Sequence, residues 1–215
     1  MEGRNGDPAL IGNISVTVWF DYSCPHCHRG LGWLDVLSGE LPLTIDRRPY
    51  LLRPDAPLNT FLTQDRNTET RSPSQVESGR RPPLAPLGAQ PVAEPFSSRS
   101  LSTVLVHEAT AFAKDQGMDR DFYLEVAGEY WQMGADLGSI YTLRRSAIKI
   151  GLDWGTMWPT LESGHYRAWV MAEHRAAVER GLKGAPSYLI GGRMYAGVVG
   201  MDELRAALEA AGLTR

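Results

Sequence analysis

Two cysteines occur in the 215 residues of this chain, and only a proline and a histidine separate them: Cys24-Pro25-His26-Cys27. A C-x-x-C pair can trade two thiols for a disulfide through a mixed-disulfide intermediate. Extended by His28, the same run spells C-x-x-C-H, the attachment pattern of a c-type haem. Two thiolates are also half of a zinc site, which needs about four ligands. The three chemistries need different surroundings. Haem attachment needs export, and "MEGRNGDPALIGN" has one arginine, no long apolar core and no small-residue cleavage pattern. Zinc would need more ligands than His26 or His28 can add beside the pair, and there is no second cysteine pair. His107, His165 and His174 lie in a helical stretch and read as surface or packing histidines. No metal is expected.

The segments flanking the pair must position it. Ile14, Val16, Val18 and Phe20 alternate in "ISVTVWF" as one face of a strand, and the closing Val-Trp-Phe suggests burial on both faces. After the first cysteine, Cys27, Leu31 and Leu34 recur at helical spacing, with Gly39 as a candidate C-cap. Cys24 therefore stands where a strand runs into a helix. The first N–H groups of that helix lack intrahelical partners and the dipole is positive there. A thiolate in that place is favoured over a thiol, lowering the cysteine pKa from about 8.5 into the range of about 3.5–7.5. Pro25 suits the first helical position, and His26 adds a donor, and a positive charge when protonated, beside the sulfur. Cys27 falls one turn on, towards the buried side. Cys24 is the expected attacking sulfur and Cys27 the resolving one. Asp21 reads as a polar cap where the strand ends, with a proton-acceptor role towards Cys27 as its rival.

"LPLTIDRRPYLL" alternates as a second strand and completes a βαβ unit. Residues 64 to 95 then lose periodicity and carry six prolines from Pro73 to Pro95, which reads as a long loop. From Ser98 the pattern is helical, with faces at Leu101–Phe112 and Phe122–Met133 and further helices in "YTLRRSAIKIG" and "SGHYRAWVMAEHRAAVERG". Trp131, Trp154, Trp158 and Trp169 read as core of that block, and the carboxylates of "MDRDFYLEVAGEYW" as a solvated face. "PSYLI", Gly191-Gly192 and "RMYAGVV" read as a hairpin with a two-residue turn. Leu204, Ala207, Leu208 and Ala211 mark a final helix. Pro186 opens the third strand; the Ala185–Pro186 bond is open to either isomer on local sequence.

The order βαβ, helical block, ββα, with "VWFDYSCPHC", "RRPYLLRPD" and "GLKGAPSYLIGGRMYAG" at matching places, resembles the DsbA-like branch of the thioredoxin superfamily, particularly its cytosolic FrnE-like members. "LESGHYRAWVMAEHRAAVERG" is also similar to that family's approach helix to its proline strand. The resemblance implies an α/β thioredoxin fold, residues 13–58 and 183–215, interrupted by a Pro-rich loop (59–96) and an inserted helical domain (97–182). It implies Pro186 in the cis form against the Cys24 sulfur and an Ala185 backbone that pairs with an extended substrate segment. Ala185 is smaller than the β-branched residue common in the family at that place. Electrons must pass through Cys24 and Cys27 alone. The expected activity is thiol–disulfide exchange with protein or peptide substrates. It needs no metal or organic cofactor, with glutathione or another thiol as the recycling reagent. Two other readings use the same fold: a glutathione-dependent isomerase or transferase of the 2-hydroxychromene-2-carboxylate isomerase or kappa type, and a non-catalytic peptide-binding chaperone module.

Bulk composition narrows the partners. Hydrophobic residues make up 43% and charged residues 22%, as in ordinary globular proteins, and the net charge is −3. Neither nucleic acid nor an anionic membrane finds an electrostatic reason to bind. No stretch approaches about 18 consecutive apolar residues. The cytoplasm is the expected compartment, where thiols are mostly reduced.

Overall fold

Alternation in the first strand places Ile14, Val16, Val18 and Phe20 on one side, all at most 3% exposed, while Trp19 faces the other side at 2%. In the computed structural model, which describes residues 12–57 and 102–213, this strand is β1 (Ile14–Phe20). Helix α1 (Pro25–Ser38) follows, then β2 (Leu43–Pro49), parallel to β1 in the register Val18↔Arg47. Near the C-terminus β3 (Ser187–Ile190) runs antiparallel to β1, and β4 (Arg193–Ala196) is antiparallel to β3. The four-stranded sheet has the order β2-β1-β3-β4. Gly191 and Gly192 make the β3–β4 turn with φ of 55° and 80°, values that a two-residue hairpin turn needs and glycine supplies without a Cβ penalty. The Pro-rich segment at 59–96 lies outside the described residues.

The described residues fall into two compact units, one within residues 1–52 and 172–215, the other within 53–171. The expected boundaries stood at 58 and 183. The C-terminal half of α6 (Arg167–Glu179) belongs to the sheet unit, because Ala177 packs with Trp19 and Tyr50 over one sheet face. Arg48 adds a tie on that face, its guanidinium 2.8 Å from Glu173. On the other face α7 (Met201–Leu213) packs against α1, β1 and β3, burying Leu204 and Leu208 completely.

The helical unit contains α2 (Val104–Asp115), α3 (Asp119–Met133), α4 (Ile140–Lys149) and α5 (Trp154–Glu162), and the start of α6. Helix α2 packs on α3 and α5, and α4 on α3 and α5, around Phe122, Tyr130, Leu143 and Met157, all 0% exposed. Helix α5 escaped the sequence reading because Gly155 and an internal Pro159 break its nine-residue pattern. Asp153 starts it instead, its Oδ1 accepting from the Gly155 N–H at 2.9 Å. Two sequence expectations need correction here. Glu129 is buried and paired with Arg145 rather than solvated, since helical spacing turns it inward beside Val126 and Tyr130. The four tryptophans are half-buried rather than core, Trp154 and Trp158 stacking at 5.8 Å one turn apart.

Candidate active site

The Cys24 side chain caps α1 itself. Its backbone is extended (φ −90°, ψ 115°), Pro25 takes the first helical position, and the sulfur accepts the Cys27 N–H at 3.3 Å. Both cysteines are unbonded thiols and both are buried, Cys24 at 3% exposure and Cys27 at 0%. The Cys27 thiol donates to Cys24 and is the main reason the Cys24 pKa falls below the ordinary 9.0. The N–H groups of Cys27 and His26 act in the same direction, while burial and the Asp21 charge oppose them. Cys27 goes the other way. Burial pushes its pKa well above 9.0, and its role as donor to Cys24 adds to the effect. Two chemically identical groups three residues apart are thus driven in opposite directions.

This asymmetry gives a titration with a defined sign. The ultraviolet thiolate absorbance of the reduced protein is expected to rise in a first step below pH 9.0. Cys24→Ser should abolish that step, leaving at most a rise above pH 9.0 from Cys27. A first step that survives Cys24→Ser would overturn the assignment.

The loop before the helix is held by Asp21, which is 1% exposed. One carboxylate oxygen accepts from the backbone N–H and the hydroxyl of Ser23, both at 2.8 Å; the other accepts from the Leu52 N–H at 2.8 Å. The Asp21 N–H points at the Cys27 sulfur, 3.5 Å away. The carboxylate therefore acts as a cap that also ties the end of β1 to the segment leaving β2. A neighbouring tie comes from His174, whose Nδ1 accepts the Leu51 N–H at 3.1 Å while its ring meets Tyr50 edge-on. Acceptance at Nδ1 fixes the ring as neutral with its proton on Nε2.

The third strand brings Ala185 to the same sulfur, with the Cys24 thiol 3.4 Å from the Ala185 carbonyl oxygen. The Ala185–Pro186 peptide bond is cis. Cys24, Pro25, Cys27, Ala185 and Pro186 are thus gathered at one place. His26 is there through its backbone N–H, while its side chain stands exposed at the second helical position. His28 is more than an ordinary helical residue, because half-burial lowers its pKa from the ordinary 6.5 to about 4 and keeps it neutral. Sequence reasoning missed Gly30 and Tyr188. Tyr188 lies two residues after Pro186, on the β3 face that turns towards α1, and Gly30 is the α1 residue opposite it. The period of two from Pro186 was the available signal. Among the described residues no group of three or more His, Cys, Asp or Glu could hold a metal ion, and no helix is long and apolar enough to cross a membrane.

A reduced cysteine pair on a helix N-terminus, beside a cis-proline strand in a β2-β1-β3-β4 sheet, defines the thioredoxin class of fold. Residues 15–209 match the DSBA-like thioredoxin domain family, and the chain belongs to that family. Solved structures that share the fold include the following three. The probable DsbA oxidoreductase SCO1869 of Streptomyces coelicolor is 23% identical, over 94% of this chain and 91% of that one, with a TM-score of 0.66. A 2-hydroxychromene-2-carboxylate isomerase is 17% identical, over 92% of this chain and 94% of that one, with a TM-score of 0.65. The cytosolic disulfide reductase DsbM of Pseudomonas aeruginosa, with GSH, is 16% identical, over 91% of this chain and 98% of that one, with a TM-score of 0.62.

Proposed function

We propose that the chain is a thiol–disulfide oxidoreductase that works through Cys24 and Cys27. The Cys24 thiolate attacks one sulfur of a substrate disulfide; a Cys24–substrate S–S bond forms, the substrate's own S–S bond breaks, and the departing thiolate takes a proton from solvent. Cys27 then releases its proton to solvent and attacks the Cys24 sulfur. The mixed bond breaks, the Cys24–Cys27 bond forms, and the second substrate thiolate leaves protonated. Two electrons have passed from the pair to the substrate. Run backwards, the same steps oxidise a dithiol. Ala185 and Pro186 serve as the substrate-binding edge, and glutathione or another small thiol returns the pair to its starting state in the cytoplasm.

The observation that carries this reading is the opposed tuning of the two sulfurs: a thiolate-prone Cys24 at the helix start and a buried, proton-holding Cys27 that donates to it. An isomerase or transferase that merely assists a glutathione thiolate has no use for a second, resolving sulfur. The test is exchange with a small disulfide such as oxidised glutathione, chosen because Cys24 is only 3% exposed. Reduced protein is expected to become oxidised at the Cys24–Cys27 pair, as read by mass, with release of the small thiol. Cys24→Ser should eliminate the reaction; full exchange in that variant would refute the proposal.

A further inference from the structure

Helix α1 and strand β3 carry the two halves of the site, so their separation sets how Cys24 meets Ala185. At one point they touch without any side chain on the helix. An alanine Cβ at position 30 would fall within the volume of the Tyr188 hydroxyl oxygen, 3.2 Å from Tyr188 Cζ and 3.8 Å from Pro186 Cγ. Gly30 lies three residues beyond Cys27, on the same edge of α1, where both are buried. Tyr188 is itself 1% exposed, and its hydroxyl lies near enough to both sulfurs for their charge, after burial, to make it harder to ionise. The bare Cα of Gly30 and the hydroxyl of Tyr188 are thus two halves of one contact, located between Pro186 and the cysteine helix.

We propose that the Tyr188 hydroxyl seated on Gly30 is the spacer that sets the approach of the Ala185–Pro186 strand to the Cys24–Cys27 helix, making Tyr188 a positioning residue for the dithiol. The proposal rests on the dithiol reading above. Packing at native density leaves no room for an added methyl at Gly30 unless the strand or the ring moves. A shift of that size alters the 3.4 Å contact between Cys24 and Ala185. The remedy is specific but partial: deleting the hydroxyl removes the severe overlap, while Cζ, 3.2 Å from where the Cβ would be, still has to give by a few tenths of an ångström.

The test is a double-mutant cycle on the full chain with Gly30→Ala, Tyr188→Phe and the pair, read by the pH titration of the Cys24 thiolate absorbance and by the rate of oxidation with oxidised glutathione. Gly30→Ala is expected to displace the titration and to slow oxidation by about tenfold or more, since misplacement by about 1 Å can cost that much. Adding Tyr188→Phe should recover part of both losses, since the overlap with the hydroxyl is gone while the close Cζ contact stays. A Gly30→Ala protein that titrates and reacts like the parent overturns the proposal, and so does a double variant no better than Gly30→Ala. If Gly30→Ala does not fold, Tyr188→Phe alone decides: it removes one buried atom and is expected to displace the titration, and an unmoved curve overturns the proposal. The titration needs no turnover. Displaced curves in a parent that exchanges no disulfide would therefore refute the dithiol function alone, while an active parent with unmoved variants would refute only the spacer.

Discussion

Cys27→Ser is expected to stop at the mixed disulfide. In this variant Cys24 keeps its helix-start position and the N–H groups of His26 and Cys27, so attack on a substrate disulfide survives. Serine cannot complete the second displacement, because an alcohol forms no disulfide, and the Cys24–substrate bond persists. With oxidised glutathione the protein should gain the mass of one glutathione, removable by a dithiol reductant, and turnover should fall by several orders of magnitude, about the loss seen when one member of a catalytic unit is removed. The serine hydroxyl, a stronger donor than a thiol, can take over the hydrogen bond to Cys24, so the first titration step should stay below 9.0. Full turnover in Cys27→Ser would deny Cys27 its resolving role and favour chemistry at a single sulfur.

Asp21→Ala is the second large effect, and both of its readouts, unfolding stability and the pH of the first thiolate step, should fall. The carboxylate accepts from the Ser23 N–H, the Ser23 hydroxyl and the Leu52 N–H, and alanine leaves these donors without it. Bonds to a charged acceptor contribute about 1.5–3 kcal/mol each, and abandoned buried donors cost more than exposed ones. A loss of roughly 2–4 kcal/mol in denaturant unfolding follows. The Asp21 charge also raises the pKa of both cysteines, so its removal should shift the first thiolate step to lower pH. Asn is not a rescue: its two-donor NH₂ would face either the Leu52 N–H or the Ser23 donors. A stable Asp21→Ala protein with an unmoved titration would mean the carboxylate is idle in both respects.

How much of this site the sequence disclosed depends on the range of the interaction. The opposed surroundings of Cys24 and Cys27 are legible because helix periodicity alone puts Cys27 on the face of Leu31 and Leu34 and leaves Cys24 at the cap. The family likeness supplied the proline strand, whose place beside Cys24 no local pattern specifies. Asp21 was visible as a cap, but its bond to Leu52 reaches 31 residues away, and only the parallel β1–β2 register creates that neighbour. Tyr188 and Gly30 meet across 158 positions of chain, so neither residue's own surroundings announce the other. His28 is a milder case: its imidazole lies half-buried on a turn whose covering is tertiary. Helix α5 and the inward turn of Glu129 failed for local reasons, a proline inside the one and acidic neighbours beside the other.

The ties around Leu51 have a consequence for how the chain can be lengthened. The path leaves the sheet unit after Leu52 and returns at Ala172. At those two crossings Arg48 meets Glu173, the Leu51 N–H meets His174, and the Leu52 N–H meets Asp21. Exit and re-entry are therefore riveted to each other and to β1, within the sheet unit itself. Everything from 53 to 171 is, in polymer terms, a loop whose ends are already closed. Each doubling of such a loop costs only about 0.6 kcal/mol. The same base can carry a longer or shorter insert while Cys24, Ala185 and Pro186 stay in register. Variation in this architecture is cheapest between those rivets and most expensive at them.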